Sequence, residues 1–308
     1  MRFSHVSASE SDERLFLLIV ETGSLKAAAE RIGADPSAVS RRLAALESRL
    51  GQQLIRRSRR GSSPTDVGRR YYDGLAPLVA QQDALEAAVT GETDEPRGLL
   101  RVTAPPEFGV RFVVPVLEGL ERKHGELSIQ LALGSSFYDL EGGGLDAAVR
   151  IGHLSDSALR VRRLGNVPRT MVAAPDYLDR RGRPGAAPDL KGHRFLGYRT
   201  TDGRGRFSLI TAEGQRREVT VHLSFTVDSI STLVRLTEAG DGIVLGPQWA
   251  FAQGLAAGRL ERVLPDVGFD APPVQVLYAG HRYLPARTRA FIEAMTAAVA
   301  AEPNLESG

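Results

Sequence analysis

Between Thr22 and Pro36 the chain is punctuated so closely that few folds can accommodate it. Leu15, Phe16, Leu18 and Ile19 give the preceding segment one apolar face, and Thr22-Gly23 ends it. Ser24 is a good N-cap, because a serine hydroxyl accepts from a first-turn amide. Ala27, Ala28, Ala29 and Ile32 then make a slim second helix. Gly33 falls where a left-handed residue past a helix end is wanted. Asp35-Pro36 restarts the chain with a cap followed by a residue already set in φ. Val39, Leu43, Leu46 and Leu50 recur at i, i+4, i+7 and i+11, one face of a third helix. Ser37, Ala38, Ser40, Arg41 and Arg42 are left outward. Two short helices joined by a tight glycine turn, the second leading with small and basic residues, predict a helix-turn-helix. An ordinary helical hairpin shares the pattern.

Charge separates the two readings. The net charge of the whole chain is +2, yet Arg41–Arg70 holds nine arginines against Glu47 and Asp66, a net +7. Residues 91–308 balance at 26 basic and 26 acidic side chains. All nine basic residues in the window are Arg, which suits bidentate contact with phosphates and guanine edges. A GC-rich genome also favours arginine, but that accounts for the residue and not for the clustering. The run from Leu54 to Pro64 carries Arg56, Arg57, Arg59 and Arg60 and suits a β-hairpin wing along a phosphate backbone. Arg41 or Arg42 is the candidate base reader, and Ser37 with the first-turn amides the candidate phosphate contact. Arg57 fits equally well as a side chain internal to the fold.

Thr65 should cap a long helix over about 66–90, with Val67, Tyr71, Leu75, Leu78, Leu85 and Val89 as its stripe. Pro77 should remove one hydrogen bond and kink it. A striped helix outside a compact domain buries its stripe against a partner chain, which predicts a homodimer. Residues 91–98 read as a linker. Beyond them short strands and helices alternate: Leu99–Thr103, a helix over Gly109–His124, Ser128–Leu133, Leu145–Ile151, Thr170–Ala174, Arg194–Arg199, Glu218–Leu223, a helix over Ser229–Ala239, and Gly242–Gly246. That alternation points to α/β layers on a mainly parallel sheet. Pro285–Ala301 is an amphipathic helix, and Glu302–Gly308 reads as a frayed tail.

The string Phe16…Glu21-Thr22-Gly23-Ser24…Ala27-Ala28…Pro36-Ser37-Ala38-Val39-Ser40…Leu46-Glu47…Leu50-Gly51…Leu54…Arg57…Thr65…Gly68 resembles the winged helix-turn-helix of LysR-type transcriptional regulators. Arg101-Val102-Thr103-Ala104-Pro105, Leu145–Gly152 and Ala239–Pro247 are similar to segments of that family's effector domain. Tyr71-Tyr72, Ala173-Ala174-Pro175 with Tyr177-Leu178, and Arg287 with Arg289–Phe291 are closest to its CrgA-like branch. Three positions depart from the family pattern: Ile55 stands for the usual Phe, Asp35 for a Ser or Thr cap, and Asp228 for a common Asn.

The resemblance implies an α+β multidomain chain. It would comprise a winged helix-turn-helix at 1–65, with Ser24, Pro36, Ser37, Ala38 and Ser40 among its DNA-contacting residues, and a linker and dimerisation helix at 66–91. A two-lobed α/β, periplasmic-binding-protein-like effector domain would follow at 92–308. Lobe 1 would take about 98–163 and 268–301, and lobe 2 about 164–267. Double-stranded promoter DNA, a small-molecule effector, a homodimer or homotetramer and RNA polymerase are the implied partners, with no cofactor and no membrane. Ligands bind at strand ends and helix starts in such sheets. That nominates Thr103, Pro105, Glu107, Phe108, Ser135, Ser136, Arg199, Thr200, Thr201, Asp228 and Ser229. Ser136 and Ser229 fit equally as helix caps. Glu107 and Asp228 place negative charge at the expected cleft with Arg199 as the nearest counter-charge, favouring a small neutral or aromatic effector.

The chain has no cysteine, which excludes disulfides, thiolate metal sites and a catalytic thiol. Its six histidines are scattered without metal-ligand spacing, and no Gly-x-Ser-x-Gly elbow or dinucleotide fingerprint occurs. A cytoplasmic, non-enzymatic regulator is expected. The rival readings are a ligand-independent architectural DNA binder or repressor, and a small-molecule enzyme.

Overall fold

A computed structural model describes residues 11–58, 61–90, 95–134, 145–154, 159–198, 202–211, 214–280 and 284–307. Three helices open the chain: α1 (Asp12–Thr22), α2 (Leu25–Ile32) and α3 (Pro36–Leu50). Ser24 Oγ caps α2 by accepting from Ala27 N at 3.3 Å, and Asp35 Oδ1 caps α3 by accepting from Ser37 N at 2.8 Å. Gly23, Gly33 and Gly51 end the three helices in the left-handed region, as their spacing requires. The wing is the antiparallel pair β1 (Ile55–Ser58) and β2 (Gly61–Pro64).

The long helix α4 (Asp66–Thr90) runs through Pro77 as one element. Thr65 Oγ1 caps it by accepting from Gly68 N at 2.9 Å. Tyr72 is fully buried against Phe16 and the rest of the head core, while Tyr71, Leu75 and Val79 are partly buried on the same core. Leu78, Leu85 and Val89 point away, at 62%, 40% and 78% exposure. One helix thus has a face buried in its own head and a second apolar face left uncovered.

The rest of the chain forms two sheets. It enters with β3 (Gly98–Ala104), α5 (Pro106–Phe108) and α6 (Val114–Lys123), the two helices joined by a π turn over Gly109–Val113. Then come β4 (Leu127–Leu133), β5 (Ala147–Ile151) and β6 (Arg160–Asn166). It crosses into β7 (Arg169–Ala173), α7 (Pro175–Arg181), β8 (Phe195–Tyr198), β9 (Arg204–Ile210), β10 (Arg216–Val227), α8 (Ile230–Glu238), β11 (Ile243–Pro247), α9 (Gln248–Ala256), β12 (Glu261–Arg262) and β13 (Gly268–Phe269). It returns as β14 (Pro273–Tyr278), α10 (Ala286–Ala301) and β15 (Glu306–Ser307).

Lobe 1 has the strand order β15-β6-β14-β5-β3-β4, and lobe 2 the order β12-β7-β11-β8-β10-β9-β13. The sheets are mixed, not mainly parallel. Each parallel centre is three strands wide, β4-β3-β5 and β11-β8-β10, and the flanking pairs are antiparallel. The chain passes between lobes twice, and the strands on either side of each passage run against their neighbours. Strand periodicity carries no record of direction, so this escaped the sequence. The crossings are short, 167–168 and 270–272. Val167 N donates to Pro272 O at 2.9 Å, and Arg169 pairs with Asp270 at 3.2 Å, so the two strands of the hinge are tied to each other.

The tail is not frayed. β15 pairs with β6, and Leu305 is only 6% exposed within the lobe 1 core. Gly165 makes this docking possible, since a Cβ there would lie 2.1 Å from Glu306 O.

Candidate nucleic-acid interface and effector cleft

The outward side of α3 carries exposed Pro36, Ser37 and Arg41, with Ala38 and Ser40 half-buried. Arg56 and Arg57 are both exposed on β1, which answers the open question about Arg57. Arg59 and Arg60 lie outside the described residues. Two of the expected roles are altered by neighbours that the sequence did not connect. Arg42 Nε donates to Asp12 Oδ1 at 2.7 Å, tying α3 to α1. Arg49 is likewise paired with Glu13. The Ser37 amide already serves Asp35, whose carboxyl is held below its usual range by hydrogen bonds from the Ser37 hydroxyl and amide. A phosphate at this helix start therefore meets a carboxylate, and among the described residues of α3 and the wing Arg41, Arg56 and Arg57 are exposed cations. Glu47 fixes the wing against α3 by accepting from Leu54 N at 2.8 Å and Ile55 N at 3.0 Å.

Between the lobes lies a cavity of about 540 Å³. Of the nominated residues, Pro105, Glu107 and Phe108 line it. Thr103 does not. It sits on β3 between β4 and β5, fully buried on a strand covered on both faces, with no hydrogen-bond partner for its Oγ1 among the described residues. The cleft begins two residues further on, where the strand has ended. Asp228 is exposed and Ser229 half-buried, and both flank Ile230, which lines the cavity, without lining it themselves. Ser229 is the cap of α8, its Oγ accepting from Thr232 N at 3.2 Å. Ser135, Ser136, Arg199, Thr200 and Thr201 lie outside the described residues.

Several lining residues were missed. Arg150, on β5, is 6% exposed, donates from Nη1 to Val149 O at 2.7 Å, and has its pKa lowered by burial. Arg169, at the hinge, is shifted down by burial, which outweighs the opposing pull of Asp270. Tyr198 and Trp249 line the cavity from lobe 2. Trp249 stacks edge-on against Phe112 at 5.5 Å, and Phe112 lies 4.7 Å from Phe108, an aromatic bridge between lobes. A signal existed for Arg150: a charged residue inside the apolar run Ala147–Ile151 is costly unless something uses it.

The lobes also meet through Glu107. Its Oε1 accepts from Ile230 N at 2.7 Å and Ser231 N at 3.3 Å, so a lobe 1 carboxylate satisfies the first turn of a lobe 2 helix. Among the described residues no three His, Asp or Glu side chains gather as a metal site would require, and no helix is long and apolar enough to cross a membrane.

Comparison with known proteins agrees with this geometry. Residues 11–69 match the family described as bacterial regulatory helix-turn-helix protein, lysR family, and residues 93–300 match the LysR substrate binding domain. A transcriptional repressor of Pseudomonas aeruginosa is 31% identical over 292 residues, covering 94% of this chain and 92% of the relative. The transcriptional activator AaeR of Escherichia coli is 31% identical over 282 residues, covering 92% and 91%. The solved structure of CrgA, a LysR-type transcriptional regulator from Neisseria meningitidis, is 26% identical with a TM-score of 0.58, covering 94% of this chain and 99% of that one. A winged head on a long helix, a two-lobed sensor and matches over almost the whole length lead to one assignment: the chain belongs to the LysR-type family of transcriptional regulators.

Proposed function

We propose that α3 enters the major groove with Arg41 toward base edges, while Arg56 and Arg57 on the wing contact phosphates. The division is 1–65 for the head, 66–91 for the linker helix and 92–308 for the sensor. The observation that carries this reading is the outward exposure of Arg41, Arg56 and Arg57 on one small head, while Arg42 and Arg49 are paired to α1. An operator fragment tests it. Arg41→Ala should relax preference at one base pair, a loss of about 1–3 kcal/mol confined to the cognate sequence. Arg56→Ala should weaken all DNA alike and flatten the salt dependence by about one unit of slope. Equal loss on cognate and random DNA for Arg41→Ala would refute its role.

Leu78, Leu85 and Val89 supply the uncovered stripe of α4, and we read it as the dimer seam of a homodimer that pairs further into a tetramer. Leu78→Asp with Leu85→Asp should give a monomer in sedimentation; an unchanged oligomer would place the seam elsewhere. The protein works in the cytoplasm on promoter DNA beside RNA polymerase and performs no chemical step of its own. Its cavity polar groups suit holding a ligand. An effector touching both lobes alters their arrangement only through a difference in its affinity for the two states.

A further inference from the structure

Charge in the cleft differs from what the sequence suggested. Asp228 flanks the cavity without lining it, and Glu107 spends Oε1 on the amides of Ile230 and Ser231. Among the described residues Glu107 is the one carboxylate in the wall, and Arg150 and Arg169 stand against it. Arg169 is placed to hold a ligand directly. It opens β7 at the hinge, and only its Nη1 is engaged, donating to Asp270 Oδ2 at 3.2 Å and Oδ1 at 3.4 Å. Among the described residues Nε and Nη2 make no hydrogen bond, and neither is sealed from solvent in a side chain that is 23% exposed. Those two nitrogens form one edge of the guanidinium, an edge that takes a carboxylate in two parallel hydrogen bonds. Burial lowers the Arg169 pKa against the pull of Asp270, so that one partner does not offset the cost of keeping this charge in the wall. Arg150, 6% exposed on β5, adds a second positive charge to the lining. Phe108, Leu233, Leu245 and Phe251 make the facing wall apolar.

We propose that the cleft selects a monocarboxylate with an apolar body, its carboxylate on the Nε–Nη2 edge of Arg169 and its body against Phe108, Leu233, Leu245 and Phe251. The inference rests on reading the cleft as the effector site. It overturns the neutral effector expected from Glu107 and Asp228. It also puts the charge anchor at the hinge and not at the start of α8, whose first-turn amides Glu107 and Ser229 already hold. Two charge-assisted hydrogen bonds are sufficient for at least about a tenfold preference over a neutral ligand of the same shape.

The test titrates benzoate and benzamide, two probes of one shape and different charge, at matched ionic strength. The readout is the emission of Trp249, the single tryptophan, which lines the cavity. Wild type should bind benzoate at least about tenfold more tightly than benzamide. Arg169→Gln should lose at least about tenfold for benzoate and leave benzamide unchanged. That variant also breaks the Asp270 pair, so Asp270→Asn is its control. It removes the rival carboxylate, keeps the guanidinium, and should bind benzoate at least as tightly as wild type. Benzoate binding that falls in Asp270→Asn as it does in Arg169→Gln would make Arg169 a support of the hinge and overturns the proposal. So does an Arg169→Gln protein that keeps wild-type benzoate affinity, or a wild type that binds both probes equally or neither. Operator retardation on the same samples separates the two levels. Equal binding of both probes with DNA binding altered refutes the carboxylate anchor and leaves the effector reading standing. The expected benzoate pattern with DNA binding unaffected supports the anchor and refutes the effector reading.

Discussion

Gly68→Ala should damage the DNA-binding head although it improves the helix it lies in. On propensity alone alanine gains about 1 kcal/mol over glycine in a helix interior. The structure sets a larger cost against this. A Cβ at Gly68 would lie 2.0 Å from Leu54 O, 2.9 Å from its carbonyl carbon and 3.1 Å from its Cα, all of them backbone. The carbonyl has nowhere to go. Leu54 N is held by Glu47, and Leu54 O itself accepts from Thr65 N at 2.9 Å and Thr65 Oγ1 at 3.3 Å. Moving it breaks the Thr65 bond, worth about 1 kcal/mol, and disturbs the Thr65 cap, worth about 1 kcal/mol more. It also leaves a poorly satisfied carbonyl at about 1–3 kcal/mol. The sum exceeds the propensity gain by at least about 2 kcal/mol. For a head of this size that is a fall in melting temperature of about 10 °C. Gly119→Ala is the control, an exposed glycine within α6 with nothing inside 4 Å of an added Cβ, and it should stabilise by about 0.5–1 kcal/mol. Calorimetry should show the head transition lowered, while fluorescence of the single tryptophan, Trp249 in the sensor, melts unchanged. A neutral or stabilised Gly68→Ala head would refute the close-approach argument.

His193 gives a pH dependence to lobe 2. Burial lowers its pKa below 6.5, with Arg181 adding to the shift, and the Tyr177 hydroxyl, which accepts from Arg194 N at 2.9 Å, can donate to its Nδ1 at 3.2 Å only while the ring is neutral. A depressed histidine is protonated first in the unfolded chain, so lobe 2 should lose stability as pH falls from 6.5 toward the folded-state value. His193→Gln should flatten that slope in urea titrations; an unchanged slope would assign it elsewhere. Deleting residues 303–308 removes Leu305 from the lobe 1 core and should cost about 1.5–3 kcal/mol by thermal melting; no loss would mean that the tail does not dock. Asp146→Ala should cost about 3–5 kcal/mol, because it strands Arg287, bonded at 2.8 and 3.1 Å, and the Arg101 amide at 2.8 Å. A cost under about 1 kcal/mol would show the pair to be solvated.

The head was legible because its helix limits are written in local chemistry. Ser24, Gly33, Asp35 and Pro36 each act on neighbours within four residues, and all four perform as their types require. The wing was legible in the same local way, from the apolar start and the turn of the Leu54–Pro64 run. Direction of strands, docking of the tail and the ion pairs of Arg42 and Arg49 were not legible, since each joins residues far apart in the chain. Asp12 and Arg42 are thirty positions apart, Glu107 and Ile230 one hundred and twenty-three. The cleft was half legible for the same reason. Residues after the first strand were found by the rule that ligands meet strand ends, whereas Trp249 and Arg169 reach the cavity only because the lobes face each other.

The long-range contacts that escaped the sequence are also those that decide what an effector can move. Arg101 binds α4 to lobe 1: its guanidinium lies 4.7 Å from the centre of the Tyr72 ring and 3.7 Å from Asp73, while its amide is held by Asp146. Tyr72 in turn is core to the head. Head, linker helix and lobe 1 therefore share one buried chain of contacts, and breaking it would strand the charge of Arg101, which is 8% exposed. Among the described residues, lobe 2 is tied to lobe 1 by two short crossings, the Arg169–Asp270 pair, the Glu107 cap, and the packing of Trp249 on Phe112 with Ile230 and Ala250 against the lobe 1 core. Of the residues that make these ties, Arg169, Trp249 and Glu107 line the cavity. A ligand that displaced any of them would act on the joint between lobes rather than on the joint between sensor and head. On the dimer seam proposed for α4, a ligand acting at that joint would reach DNA through lobe 2 pressing on another subunit, and oligomerisation would be a condition of effector response. A monomeric Leu78→Asp, Leu85→Asp variant should accordingly keep its thermal response to a cleft ligand while losing the ligand's effect on operator binding.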